Sequence, residues 1–441
     1  MDPVFLARLQ FAITIGFHFL FPPISIGLAW ILVLIEGRAW RTGDPVWTSL
    51  GVFFARLLAL TFAVGVATGI VMEFQFGTNW ASYSKFVGDI FGAPLAAEGV
   101  FAFFLESGFL GLYLFGRGRV SKGVHWFSAL MVAVGATLSA FWILAANSWQ
   151  QTPAGFEVVD GRAVLTSFAG AIFNSSMWVR FMHVMTAALL AGAFFVAGVC
   201  ALLLLRGRAT DAAARGLRLA VALGFVWAML TAFPTGHHHA RQVARDQPEK
   251  FAAIEGLYAT TKGAPLIFFA LQNSPPPQLS AVIQAPKITS WLAFGDPNAE
   301  IKGINEFPLD HIPPLWITFV SFHNMVVLGL LFQGVTFLGL FLWWRRSLDT
   351  ARWYHWIILL VSPLPLAACQ FGWVAAEVGR QPWTVYKVLR TADSVSVTVG
   401  PGELWFSILM LCAIYLALGV LYVFLLWREV THGPKKVDEV A

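Results

Sequence analysis

The chain has 441 residues, of which 58% are hydrophobic and 12% charged, with a net charge of +5. Its mean hydropathy of +0.69 means more apolar surface than a soluble domain can bury, so the composition excludes a soluble enzyme and points to a polytopic membrane protein. The basic excess reads through membrane topology, with no nucleic-acid partner implied.

We read nine apolar runs of about 20 residues, centred near residues 22, 61, 105, 134, 192, 226, 328, 364 and 415. Backbone polar groups must be satisfied internally in lipid, so each run is predicted to be a helix in one all-α membrane domain, residues 1–441. Residues 1–9 read as a short tail. The first run is too long and too well integrated to be a cleaved leader. It contains His18 and, one turn on, Pro22-Pro23, which should loosen the helical ladder and kink it.

Connections on one side are short and basic: Arg38 and Arg41; Arg117, Arg119 and Lys122; Arg206, Arg208, Arg215 and Arg218; Arg345, Arg346 and Arg352; Arg428, Lys435 and Lys436. Those on the other side, 73–93, 147–177, 236–312 and 378–402, are long and sparsely basic. The positive-inside rule puts the basic set in the cytoplasm, the N-terminus outside and the C-terminus inside. The tail from His432 onward reads as polar and loose. There is no internal repeat, which argues against a transporter built from inverted halves. Cys200, Cys369 and Cys412 form no CxxC or zinc spacing, which removes covalent c-type haem, iron–sulfur clusters and a disulfide framework.

Ionisable residues inside a membrane are expensive, so each is a functional candidate. In chain order these are His18, Glu73, Glu98, Glu106, His183, His323 and Glu377, all toward the outer side. Histidine, methionine and carboxylate side chains are iron-porphyrin ligands. A lone intramembrane histidine is as often a hydrogen-bonded packing residue as a ligand, and methionine is usually filler. Met325 and His323 stand about 200° apart on a helix and cannot serve one iron together, so a site shared with His183 could use Met325 or His323 but not both. Glu98 and Glu106 are separated by about 80° of rotation and roughly 12 Å of rise on a regular helix, and with Ser107 adjacent they could hand protons between two depths. Arg380 in GRQPW follows Glu377, and Trp373 stands one turn before it on the same face.

Six segments carry a family resemblance: ARLQFAITIGFHFLF, GVATGIVMEFQFGTNW, VGDIFGAPLAAEGVFAFFLES, LSAFWILAANSWQQTP, QPEKFAAIEG and GWVAAEVGRQPW. In that order, over almost the whole chain, they resemble subunit I of cytochrome bd-type quinol oxidases. The resemblance implies a bacterial cytoplasmic-membrane subunit that oxidises quinol at the outer face and reduces O2 with cytoplasmic protons, without pumping. It implies that His18 ligates the oxygen-reducing haem, a haem d or a third haem b, with Glu98 close by and Glu73 at an acidic position beside it. It implies Glu377 as ligand of a high-spin haem b, with Trp373 and Arg380 beside it, and His183 with Met325 as ligands of a low-spin haem b. Glu106 and Ser107 fall on its proton route. Lys250 and Glu255 fall on its quinol-binding outer loop, the Q-loop (236–312), which is short here as in the cyanide-insensitive branch. A second membrane subunit and a single-helix accessory peptide are the implied partners. The chain departs from the pattern at His323, where arginine is common, and at His237-His238-His239, read as an exposed loop tract. The rival reading is a quinone-linked b-type electron-transfer cytochrome without oxygen chemistry.

Overall fold

The computed structural model describes residues 2–273 and 278–434; Lys435 and Lys436 lie outside them. Among the described residues, nine helical segments are long and apolar enough to cross a membrane: span 1 (Pro3–Thr42), span 2 (Pro45–Thr78), span 3 (Ala81–Phe115), span 4 (Lys122–Gln151), span 5 (Met177–Leu205), span 6 (Thr210–Asp246), span 7 (Leu315–Trp344), span 8 (Arg352–Val378) and span 9 (Pro401–His432). They fall on the nine apolar runs.

Lipid offers helices no hydrophobic drive to associate, so close packing holds the bundle. Spans 1 and 5 touch backbone to backbone at Gly27 and Gly192; a Cβ on Gly27 would lie 2.4 Å from the Ala188 carbonyl oxygen. Phe194 and Phe332 join spans 5 and 7, their rings 5.1 Å apart.

The boundaries differ from the sequence reading in three places, and the kink expected of Pro22-Pro23 is present as a break in span 1. Residues 3–9 are helix, not tail: Asp2 accepts the Val4 N–H at 3.0 Å, Pro3 suits the first turn, and Leu6 and Ala7 are buried. The connection at 73–93 shrinks to Asn79 and Trp80, because span 2 runs to Thr78 and span 3 begins at Ala81. Span 1 breaks at Phe19-Leu20, directly after His18, and restarts at Phe21. Pro22 and Pro23 sit in that new first turn; lacking N–H groups, they leave the His18 and Phe19 carbonyls without helical donors. Span 6 continues helically through His237–Asp246, past the expected start of the outer loop.

Two π turns interrupt spans. One covers Glu98–Phe103 in span 3 and the other Thr231–Gly236 in span 6, around Pro234. Such turns mark functional positions in many helices. Because Glu98 opens the first, the regular-helix relation between Glu98 and Glu106 is lost. The long connections carry a hairpin, Phe156–Val159 with Arg162–Leu165, and a helix, Pro248–Glu255.

Candidate functional site

His18 and His183 stand in the same local arrangement. The Thr68 hydroxyl donates to the Val64 carbonyl at 2.9 Å, so its lone pair is what faces His18 Nδ1 at 3.0 Å. His18 therefore carries its proton on Nδ1, which leaves the Nε2 lone pair free to bind a metal. At His183 the partner is Thr235, which donates to the Leu230 carbonyl at 3.0 Å and faces Nδ1 at 3.4 Å. Thr235 lies in the π turn of span 6, so the irregular backbone places it. Among the described residues neither Nε2 has a protein hydrogen bond. Two glycines shape the ring beds: a Cβ on Gly69 would lie 3.2 Å from His18 Cε1, and one on Gly236 would lie 3.5 Å from His183 Cε1.

His323 uses both ring nitrogens on carbonyl oxygens, Nδ1 on Phe319 and Nε2 on Ile267, each at 2.9 Å. A carbonyl oxygen therefore stands against each ring nitrogen, and neither faces open space. The Met325 sulfur instead rests against span 8, where a Cβ on Gly372 would lie 2.8 Å from Sδ. Of the two alternatives for the partner of His183, the donor chemistry favours Met325.

Glu377 closes span 8 inside a polar chain. Its Oε1 accepts from Asn147 Nδ2 and Gln151 Nε2, both at 3.0 Å, and Oε2 pairs with Arg380 at 2.5 Å. A carboxylate has about four acceptor sites, so one remains for a metal. Gln151 Oε1 in turn accepts from Lys250 Nζ at 2.7 Å, and Gln247 Oε1 accepts from the same ammonium at 2.9 Å. Gly379 lets the lysine stem pass. Burial, reinforced by nearby Arg180, pushes the Lys250 ammonium well below its ordinary value. Arg380 Nη1 donates to Gln150 Oε1 at 2.9 Å, and Trp373 stacks on Phe19 at 5.7 Å.

Lys250 and Glu255 share the helix Pro248–Glu255 but not a face, since five residues turn it by about 500°. Lys250 enters the Glu377 chain, whereas Glu255 accepts from Thr289 at 3.2 Å. Burial raises the Glu255 carboxyl to about 7, against the opposing Thr289 hydrogen bond.

In span 3, Glu98 accepts from Ser139 at 2.6 Å and has Glu73 and Glu106 as charged neighbours. Glu106 is buried where Gly135 of span 4 brings the helices together. The Ser107 hydroxyl donates to its own helix at the Phe103 carbonyl, 2.7 Å away, and so does not extend the Glu98–Glu106 line. Glu73 stays on an exposed face of span 2.

Sequence reasoning missed several members. Asn147, Gln150 and Gln151 sit in ANSWQQTP, where a run of amides at the end of an apolar stretch was the available signal. Arg180, in the first turn of span 5, is buried, and the sequence analysis did not single it out. His239 is helical and packs its ring 5.5 Å from that of His183, contrary to an exposed tract; only His238 of the three is exposed. A second cluster lies at the opposite end of the bundle. There Glu36 accepts from Tyr113 at 2.9 Å and pairs with Arg117, while His125 Nδ1 lies 3.7 Å from its other oxygen.

Fold and donor set define a multi-pass membrane protein with two intramembrane histidines whose Nδ1 atoms each face a threonine hydroxyl, a methionine and a part-buried carboxylate. The family model for cytochrome bd terminal oxidase subunit I matches residues 6–434. Cytochrome bd ubiquinol oxidase subunit 1 of Bacillus subtilis (strain 168) is 40% identical over 446 residues, covering 99% of this chain and 95% of the relative. Cytochrome bd-II ubiquinol oxidase subunit 1 of Escherichia coli (strain K12) is 32% identical over 505 residues, covering 99% and 98%. The structure of the bd oxidase from Geobacillus thermodenitrificans superposes with a TM-score of 0.91 at 29% identity, over 98% of this chain and 99% of that one. The chain belongs to the cytochrome bd terminal oxidase subunit I family, and it is a multi-pass protein of the cytoplasmic membrane.

Proposed function

We propose that this chain is the subunit in which a membrane quinol oxidase both oxidises quinol and reduces O2 to water. Family membership carries the oxidase role, the haem cofactors, the quinol substrate and the second subunit. The finer assignments rest on the residues. His18 Nε2 holds the oxygen-reducing haem, a haem d or third haem b. His183 and Met325 hold a low-spin haem b, and Glu377 a high-spin haem b. The observation that supports these ligands best is the matched pair His18–Thr68 and His183–Thr235, in which a committed threonine hydroxyl fixes the tautomer. Bound haem supplies one-electron transfer and oxygen binding.

The protein residues bind, orient and move protons. Quinol binds at the Q-loop, where Glu255, poised at about 7, accepts a hydroxyl proton and releases it outside. Lys250 orients the quinol oxygen from the other side of that helix. Glu106 and Glu98, with Ser139 beneath Glu98, carry protons from the cytoplasmic side toward the oxygen site. Glu73 supplies a further carboxyl there. The N-terminus and Q-loop face outward, so release and uptake on opposite sides build a proton gradient without a pump. A single-helix accessory peptide completes the assembly beside the second subunit.

The test is a dithionite-reduced minus oxidised spectrum of the intact complex, with haem extraction and carbon-monoxide binding. Two b-type signals plus a carbon-monoxide-reactive chlorin or third b-type signal are expected. A single low-spin b signal that does not bind carbon monoxide would favour the electron-transfer cytochrome instead.

A further inference from the structure

The buried charges around Glu377 do not balance. Arg180, Lys250 and Arg380 are only 3%, 4% and 7% exposed, and each has the others or Glu377 as charged neighbours. Glu377 is the single carboxylate in that set, and it is already paired with Arg380. Lys250 donates to two neutral amide oxygens. Glu249 turns away, to Tyr386 and Lys387. Arg180 makes no ion pair among the described residues.

Polar atoms are also left over. The donors Arg180 Nε and Arg380 Nε are buried without a hydrogen-bond partner, as is His239 Nε2, which donates in one of the two neutral tautomers. His239 lies against His183 and has Arg180 and Lys250 as charged neighbours. Burying unpaired cations and unmade N–H donors together is unfavourable unless an anion completes the site. That anion must carry carboxylate-like oxygens and lie beside the His183 ring.

We propose that Arg180, with His239 beside it, forms an anion-binding wall that takes a propionate carboxylate of the porphyrin held by His183. The assignment deepens the ligand reading above and rests on it. Arg180 is the main contact, because its planar fork matches a carboxylate and its charge is permanent. His239 is a positioning residue that donates from Nε2. Arg380 splits its guanidinium between Glu377 and the same acceptor.

The test uses the intact oxidase complex carrying R180Q, R180K or H239L. The readouts are extracted haem b per complex, the low-spin haem midpoint potential and the propionate bending band in resonance Raman spectra. A nearby positive charge favours the reduced, more electron-rich state, so R180Q should lower the midpoint and move the propionate band with haem b retained. R180K should recover most of the midpoint while the band stays displaced, because a single ammonium replaces a fork. H239L should move the band with a smaller fall in midpoint. Wild-type midpoint and band in R180Q would overturn the assignment, as would a raised quinol KM with both signals unchanged, which would give the wall to the substrate. If R180Q does not assemble, H239L decides: an unmoved band overturns the proposal. Absence of b-type haem from the wild-type complex would overturn the ligand reading itself, and this assignment with it.

Discussion

Two buried ionic clusters sit at opposite ends of the bundle and differ in one respect. At one end, Glu36 takes donors from Tyr113 and Arg117, and His125 also engages the Tyr113 carbonyl at 3.0 Å. None of the side-chain atoms of these four residues is left buried without a partner. At the other end, the group around Glu377 keeps the Nε donors of Arg180 and Arg380 and the Nε2 atom of His239 buried without partners. A complete cluster ties helices together and needs nothing further. An incomplete one, kept buried at a cost, is the mark of a ligand site.

The largest way to test that contrast is H18A. It should abolish the carbon-monoxide-reactive signal while leaving the low-spin b signal, read as haem per complex and by difference spectra. Loss of every haem together would make His18 a folding residue instead. Next comes E36A at the first cluster. Removing the carboxylate strands Arg117 and Tyr113 and should cost about 3–5 kcal/mol, seen as a fall in the yield and Tm of the complex. The spectra of whatever assembles should remain those of the wild type; an altered haem spectrum would show that the Glu36 cluster is more than a tie.

Smaller effects probe the other end. Glu255 titrates from 4.5 to about 7 through burial, so its ionisation opposes folding. Both states are protonated below about 4.5. The penalty grows as pH rises through this window and is full above about 7, where it reaches about 3 kcal/mol. E255Q should therefore raise the Tm at pH 8 and leave it nearly unchanged at pH 4, and an equal gain at both would remove the raised carboxyl. The smallest effect is expected from G372A. Its Cβ must displace the Met325 sulfur, so the low-spin band should shift or broaden while the signal assigned to His18 stays put.

Much of the candidate site could be read from residues within one apolar run, because a charge inside lipid announces itself locally. His18, Glu98, Glu106, His183 and Glu377 were legible for that reason. Met325 was not separable from His323 by spacing; the two carbonyls against His323 come from span 7 itself and from Ile267 in the connection before it. His239 escaped because the three histidines read as an exposed loop tract, whereas the helix continues past the π turn of span 6 and brings His239 to His183; Arg180 was not singled out.

The sequence by itself determined the class, the number of spans among the described residues, the family and the list of intramembrane polar candidates, since hydropathy and intramembrane polarity are properties of short stretches. Tertiary structure decided the rest. It set which nitrogen of each histidine is free, through Thr68, 50 residues from His18, and Thr235, 52 residues from His183. It also brought Lys250 to Gln151, 99 residues away, and left Arg180 without a counterion. These depend on contacts between distant segments, and only the packed bundle brings those segments within hydrogen-bonding reach.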